Sequence, residues 1–239
     1  MSAAENVGPG RPLRRPQGST TSPGITVAGF ADVLRERTRA VHQRVEGSSF
    51  IAELVTGRRS QQDYAALLGQ LSFVYRALEN VADRMSADPV AGPFVTAELV
   101  RLPRIEEDLE FLAGRSWRRE VVVLPATAKY IGRIREVEHW PGGFVAHHYT
   151  RYLGDLSGGQ IIRTALQRQH GFGTRGVTFY DFPGIARPKL FRDSYRARLD
   201  AAPWDESERE RILAEVVRAF EHNGAVFDDL AKATAAPAE

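Results

Sequence analysis

RYLGDLSGGQ, residues 151–160, carries three glycines, at 154, 158 and 159, and an aspartate at 155, inside flanks that read as one helix from about Phe144 to His170. A glycine in a helix interior costs roughly 0.8–1 kcal/mol against alanine, so three within one and a half turns call for a reason. At about 100° per residue, Gly154, Asp155, Gly158 and Gly159 fall within an arc of ~140°. Leu153 and Leu156 point the other way, as a core stripe does. One face is thus stripped of side chains and given a carboxylate, while the back packs. A bare face lets something flat and wide approach the backbone, and glycine also permits a kink there. Close helix packing through small residues is the plain alternative. Asp155 counts against that alternative, because a carboxylate in a helix contact is buried without an obvious partner.

Working outward, the chain is helical in pattern from Ile25 onward. Phe30, Val33, Leu34, Val41 and Val45 predict a first amphipathic helix ending near Gly47. Ser60 to Ser86 predicts a second, with Tyr64, Leu67, Leu68, Leu71, Val74, Leu78, Val81 and Met85 buried. A third is expected over about Phe94 to Leu112, with Pro103 a candidate break, and a fourth from Pro125 to before Pro141. Gly171 to Pro188 reads as loop, with a short extended piece at Val177 to Tyr180. A further helix holds KLFRDSYRARL (189–199), and the last is announced by the Asp205 cap with Glu208 three residues on, running to about Ala231. The expectation is one all-α domain over 25–231. A disordered Gly/Pro/Arg-rich tail at 1–24 and a short flexible tail at 232–239 flank it.

The 239 residues, 43% hydrophobic, suffice for one sizeable core. The absence of cysteine excludes disulfides and thiolate metal sites. No apolar run approaches the ~20 residues of a membrane span, and no secretory segment opens the chain, so a cytoplasmic protein is expected. The net charge of +2 does not suggest a nucleic-acid footprint, although the pI of about 9.0 permits one.

The first helix supplies a complement to the glycine face. His42 shares a narrow arc with Arg35, Thr38 and Glu46. Glu46 is placed to accept the ring N–H that His42 does not give to a metal. Singly, these residues read as a surface histidine on a solvated charged face. Together with the bare helix they describe a site for a planar macrocycle with a central iron: an axial histidine, cations at one edge, and a close-lying helix opposite. Arg192 and Arg196, one turn apart, are further cations able to fork onto carboxylates.

TRAVHQRVEG (38–47), AHHYTRYLGDLSGGQ (146–160), FRDSYRARL (191–199) and AFEHNGAVFDDL (219–230) resemble, in order and spacing, the corresponding segments of heme oxygenases. The resemblance covers about Phe30 to Leu230. It implies heme b, as both substrate and cofactor, sandwiched between a proximal helix and a kinked glycine-rich distal helix. It makes His42 the proximal iron ligand and lays Gly154, Asp155, Ser157, Gly158 and Gly159 over the distal face. Asp155 would act through a water network that includes Tyr75, Thr150, Arg151 and Asn223. Arg35, Tyr149, Arg192 and Arg196 would hold the propionates. Phe220 and Phe227, plain core by spacing alone, would wall the pocket. The family commonly carries Lys where this chain has Arg35 and Arg192; charge is kept, but a planar fork grips carboxylates differently from an ammonium.

The implied reaction is O₂-dependent cleavage of heme to biliverdin, expected as the IX-alpha isomer, with CO and Fe²⁺. Electrons would come from an external ferredoxin, flavodoxin or NAD(P)H-dependent reductase. A monomer is expected, with no nucleic-acid partner and, from the closing AKATAAPAE, no membrane anchor. Two other classes compete. A heme carrier would not require Asp155 on a bare face, and a nucleic-acid binder would need a clustered basic helix that is lacking. Among the other histidines, His147 and His148 face about 100° apart and do not easily share one ion. Glu136 and His139 form an E-x-x-H without the second element a di-iron bundle needs. His139 and His170 are expected at the surface.

Overall fold

The computed structural model describes residues 29–234; the expected tail at 1–24 and most of that at 232–239 lie outside the described residues. Ten α-helices follow in order: α1 (Phe30–Glu46), α2 (Ser49–Thr56), α3 (Gln61–Met85), α4 (Leu102–Ala113), α5 (Trp117–Glu120), α6 (Pro125–Glu136), α7 (Pro141–Asp155), α8 (Gly158–His170), α9 (Pro188–Ala201) and α10 (Glu206–Ala233). No strand occurs among the described residues. The fold is all-α, a single multi-helix domain built around α3, α7 and α10.

Local chemistry sets the helix starts. Ser60 and Asp63 close a capping box at α3: the Asp63 N–H donates to Ser60 Oγ at 3.1 Å and the Ser60 N–H to Asp63 Oδ2 at 2.8 Å. The apolar stripe expected on this helix is buried throughout. Asp205 accepts the Glu208 N–H at 2.7 Å and so caps α10. Glu208 does not complete a box there; its carboxylate accepts instead from Trp140 Nε1. The helix runs to Ala233, past the expected edge at 231.

Four expectations change. Ser49–Thr56 is a helix, too short for its three buried residues, Phe50, Ile51 and Leu54, to display a period. The expected third helix begins only at Leu102, after 3-10 turns at Gly92–Phe94 and Ala97–Leu99. Pro103 sits in its first turn, where a missing N–H breaks no helical bond. Thr178–Tyr180 is a 3-10 turn, not an extended piece. Buried Asp108 fixes it by accepting the Thr178 N–H at 2.9 Å and the Phe179 N–H at 2.8 Å.

The fourth change bears on function. The expected single helix over 144–170 is two helices, α7 and α8, separated at Leu156 and Ser157. Ser157 takes φ −123° and ψ −84°, outside helical values. Its hydroxyl donates back to the Leu153 carbonyl at 2.6 Å, and an Arg192 Nη1 donates to the Leu156 carbonyl. Gln160 Nε2 bonds the carbonyls of Asp155 at 3.2 Å and Tyr180 at 2.9 Å. Carbonyls freed by the break are thus satisfied by side chains, as burial requires.

Behind α7, buried Glu215 of α10 joins three helices. It meets His147 Nε2 at 2.9 Å, Arg133 Nη2 at 2.6 Å and Arg218 Nη1 at 2.8 Å. Burial pushes the Glu215 carboxyl up, but the bonds from Arg133 and His147 outweigh it and hold it down at about 2.

Candidate functional site

A cleft opens between α1 on one side and α7 with α8 on the other. Its inner end is walled by apolar side chains including Ile51, Leu67, Ile162, Phe220 and Phe227. Its outer end is bordered by Arg35, Arg39, Tyr149, Ser157 and Arg196. The two ends share His42, Thr150, Gly154 and Phe220, so they form one space, with apolar walls around the Asp155, Arg151 and Asn223 groups at one end and three arginines at the other.

His42 projects from α1 into this space with its side chain 41% exposed. Its ring edge packs on Phe220 with centroids 5.1 Å apart. Nε2 lies 3.2 Å from Glu46 Oε1, so the carboxylate engages one ring nitrogen and leaves the other for an ion.

The three glycines facing His42 differ: one looks onto open space and two onto different neighbours. A Cβ on Gly154 would meet nothing within 4 Å, which makes this the bare stretch of helix. One on Gly158 would lie 3.2 Å from Glu46 Oε1, because the end of α1 closes on the start of α8 there. One on Gly159 would lie 2.8 Å from Tyr180 Cδ1. The alternative of close packing through a small residue therefore holds at Gly159, although its backbone still borders the inner end.

Asp155 is buried, and it has the partners that its sequence context did not reveal. Tyr75 donates its hydroxyl to Oδ2, and Arg151 Nη2 lies 3.3 Å from Oδ1. Arg151 also reaches Asn223 Oδ1 at 2.8 Å and the Tyr75 oxygen at 3.2 Å. Burial pushes the Asp155 carboxyl above the ordinary aspartate range, against the pull of Arg151 and the Tyr75 bond. Four of the expected network residues thus meet in one cluster at the inner end. Thr150 borders the cleft but donates its hydroxyl to the Ala146 carbonyl of its own helix at 2.8 Å.

At the outer end, burial pushes the Tyr149 phenol up, and the nearby charges of Arg196 and Arg35 partly offset that. Arg196 reaches Asp193 at 3.2 Å through Nη1, while its Nε is buried without a partner among the described residues. Arg35 is exposed and paired with Asp32 at 3.0 Å. Arg192, expected beside Arg196, is not on the cleft lining: its guanidinium caps the end of α7. Arg39 borders the outer end and was missed; its signal was its place one turn after Arg35 and one turn before His42.

The remaining histidines stand elsewhere. His147 and His148 are buried and bonded to Glu215 and Tyr195, away from the cleft lining. His139 is exposed, but His170 is half-buried against Phe172 rather than at the surface. Among the described residues, no group of three or more His, Cys, Asp or Glu could hold a metal ion between them. No helix there is long and apolar enough to cross a membrane.

A family model for heme oxygenase matches residues 28–229. The chain belongs to the heme oxygenase family. The heme oxygenase of Takifugu rubripes is 39% identical over 216 residues, covering 89% of this chain and 78% of that one. Heme oxygenase 1 of the cyanobacterium Synechocystis is 37% identical over 202 residues, covering 84% of each. The crystal structure of heme oxygenase-1 from Synechocystis in complex with heme superposes with a TM-score of 0.81 at 36% identity, covering 86% of this chain and 96% of that one.

The residues present fit a heme. One histidine faces a glycine whose side stands open, the walls between are apolar, and the orphaned Arg196 Nε lies at the end where a porphyrin's carboxylates would need a donor.

Proposed function

We infer the chemistry from the cleft and the family together: the protein is a heme oxygenase, an O₂- and reductant-dependent enzyme that opens heme to biliverdin with release of CO and Fe²⁺. The observation that carries the reading is His42 across the cleft from Gly154, with Arg35, Arg39 and Arg196 gathered at the outer end. Bound heme supplies the iron centre at which O₂ is reduced and a ring carbon oxidised.

In this reading His42 holds the iron and Glu46 orients its ring by taking the other nitrogen. Arg35, Arg39, Arg196 and Tyr149 hold the propionates, which fixes the rotation of the ring in the cleft and hence a single isomer, expected to be IX-alpha. At the inner end Ile51, Leu67, Ile162 and Phe227 would pack on the ring and keep bulk water from the reacting face. There the Asp155–Tyr75–Arg151–Asn223 cluster orders water and passes protons inward, the Asp155 carboxylate acting by relay rather than as a ligand. Arg192 keeps the α7–α8 break in place. Electrons come from a separate donor of the ferredoxin, flavodoxin or NAD(P)H-dependent reductase class.

A carrier would bind heme equally well but has no use for a buried proton-handling cluster. Heme-loaded protein given O₂ and ascorbate, or a reductase, separates the two. Loss of the Soret band with growth of bilin absorbance supports the enzyme, and a heme complex that survives the reductant unchanged contradicts it.

A further inference from the structure

His148 and Tyr195 form a buried pair that neither the iron face nor the proton cluster uses. His148 Nδ1 lies 2.9 Å from the Tyr195 hydroxyl. The rings stack within 12° of parallel at 5.8 Å between centroids. Both side chains are shut off from solvent, His148 at 2% and Tyr195 at 0% exposure. Burial holds the imidazole neutral, pulled down to about 3, and pushes the phenol up. The bond therefore joins two uncharged groups and does not compete with the arginines for an anion.

Its position in the chain gives it reach. Tyr149 follows His148 on α7, and Arg196 follows Tyr195 on α9; both of these neighbours border the cationic end of the cleft. Helix α9 otherwise packs mainly on α1 and on the 3-10 turn at Gly92–Phe94, whose Phe94 ring lies 5.0 Å from that of Tyr195. Two other hydrogen bonds hold α9 nearer its ends, Arg192 to the Leu156 carbonyl and the Ala31 N–H to Asp200 Oδ1 at 2.8 Å; the His148–Tyr195 bond lies between them, next to Arg196, and fixes the register there. A small slide of α9 along α7 would move the Arg196 guanidinium, whose buried Nε has no partner among the described residues, away from the Tyr149 phenol.

We propose that the His148–Tyr195 pair is a positioning device that sets where Tyr149 and Arg196 meet the carboxylates of the bound tetrapyrrole. It rests on the reading of the outer end as the propionate grip. A binding measurement on the ligand-free protein tests it. Apoprotein is titrated with heme and with heme dimethyl ester, whose carboxylates are blocked, and the ratio of the two affinities is read from absorbance.

The wild type favours the free acid. Arg196→Ala lowers that preference, by about fivefold for a partly exposed ion pair. Tyr195→Phe, which removes only the hydroxyl, lowers it to a similar extent, and the double variant falls no further than Arg196→Ala alone. His148→Asn, which keeps a polar atom where Nδ1 stood, retains most of the preference; His148→Phe loses it and stands in should Tyr195→Phe not fold. The proposal is overturned by a folded Tyr195→Phe or His148→Phe with wild-type preference, by losses that simply add to that of Arg196→Ala, or by equal weakening toward both ligands. A wild type without preference contradicts the grip itself and the proposal with it; intact wild-type preference with unmoved variants contradicts the proposal alone.

Discussion

Glu46 touches both walls of the cleft: its Oε1 lies 3.2 Å from His42 Nε2 and 3.2 Å from where a Cβ on Gly158 would stand. At the scale of single residues, then, the two sides of the site are one construction. Asp155 is the other residue on which the chemistry turns. Asp155→Ala removes no ligand and leaves heme affinity close to wild type, but it dismantles the proton cluster. Bilin yield should fall, and peroxide-driven guaiacol oxidation should rise in the same samples; full bilin yield without peroxidase activity would make the carboxylate structural. His42 and Asp155 were legible because each stands out against a helix pattern. Arg39 was not, since an exposed arginine on a charged helix carries no signal until a cleft is seen beside it. That Arg192 lies off the cleft lining was not legible either: helical spacing puts it near Arg196 but cannot say that a broken helix end will claim its guanidinium.

At the scale of elements, the glycine stretch divides into separable effects. Gly154 stands where a side chain meets nothing, so Gly154→Ala should hold or raise thermal stability, by up to ~1 kcal/mol from helix propensity. Gly154→Leu should fold equally well and lose heme affinity, because its side chain enters the cleft. Gly159→Leu should instead destabilise the fold, since its Cβ would meet Tyr180 at 2.8 Å. Melting temperatures beside heme titrations check all three, and a Gly154→Leu protein with unchanged heme affinity would remove that face from the site. The sequence announced weakness in this helix but not where it breaks. The break falls on Leu156 and Ser157, not on a glycine, because Arg192, distant in sequence, and the nearby Gln160 satisfy the carbonyls there. For the same reason capped helices such as α3 were readable, while the turn at Thr178–Tyr180, held by Asp108 from another helix, was not.

For the whole molecule, the buried Glu215 cluster sets the acid limit. The Glu215 carboxyl titrates at about 2 against an ordinary 4.5. Its lowered value means the unfolded chain binds the proton first as pH falls. The stabilisation is therefore complete above about pH 4.5 and is lost between there and pH 2, on the order of 3 kcal/mol in all. Asp155 works with the opposite sign: its raised carboxyl gives up stability as pH climbs from the ordinary aspartate value through the folded one. Glu215→Gln should cost ~3 kcal/mol near neutral pH by leaving Arg133 short of its buried partner, and should flatten the acid limb of the melting temperature. An acid limb as steep as wild type in that variant would place the titrating group elsewhere.

The account turns on His42 holding heme iron across the cleft from Gly154, and the absorption spectrum of heme added to His42→Ala tests it most directly. The expected result is loss of the histidine-ligated ferric spectrum and of turnover, with partial return of both on adding imidazole, because the walls and arginines that seat the ring remain. A His42→Ala protein whose heme spectrum and bilin yield match wild type would contradict the account.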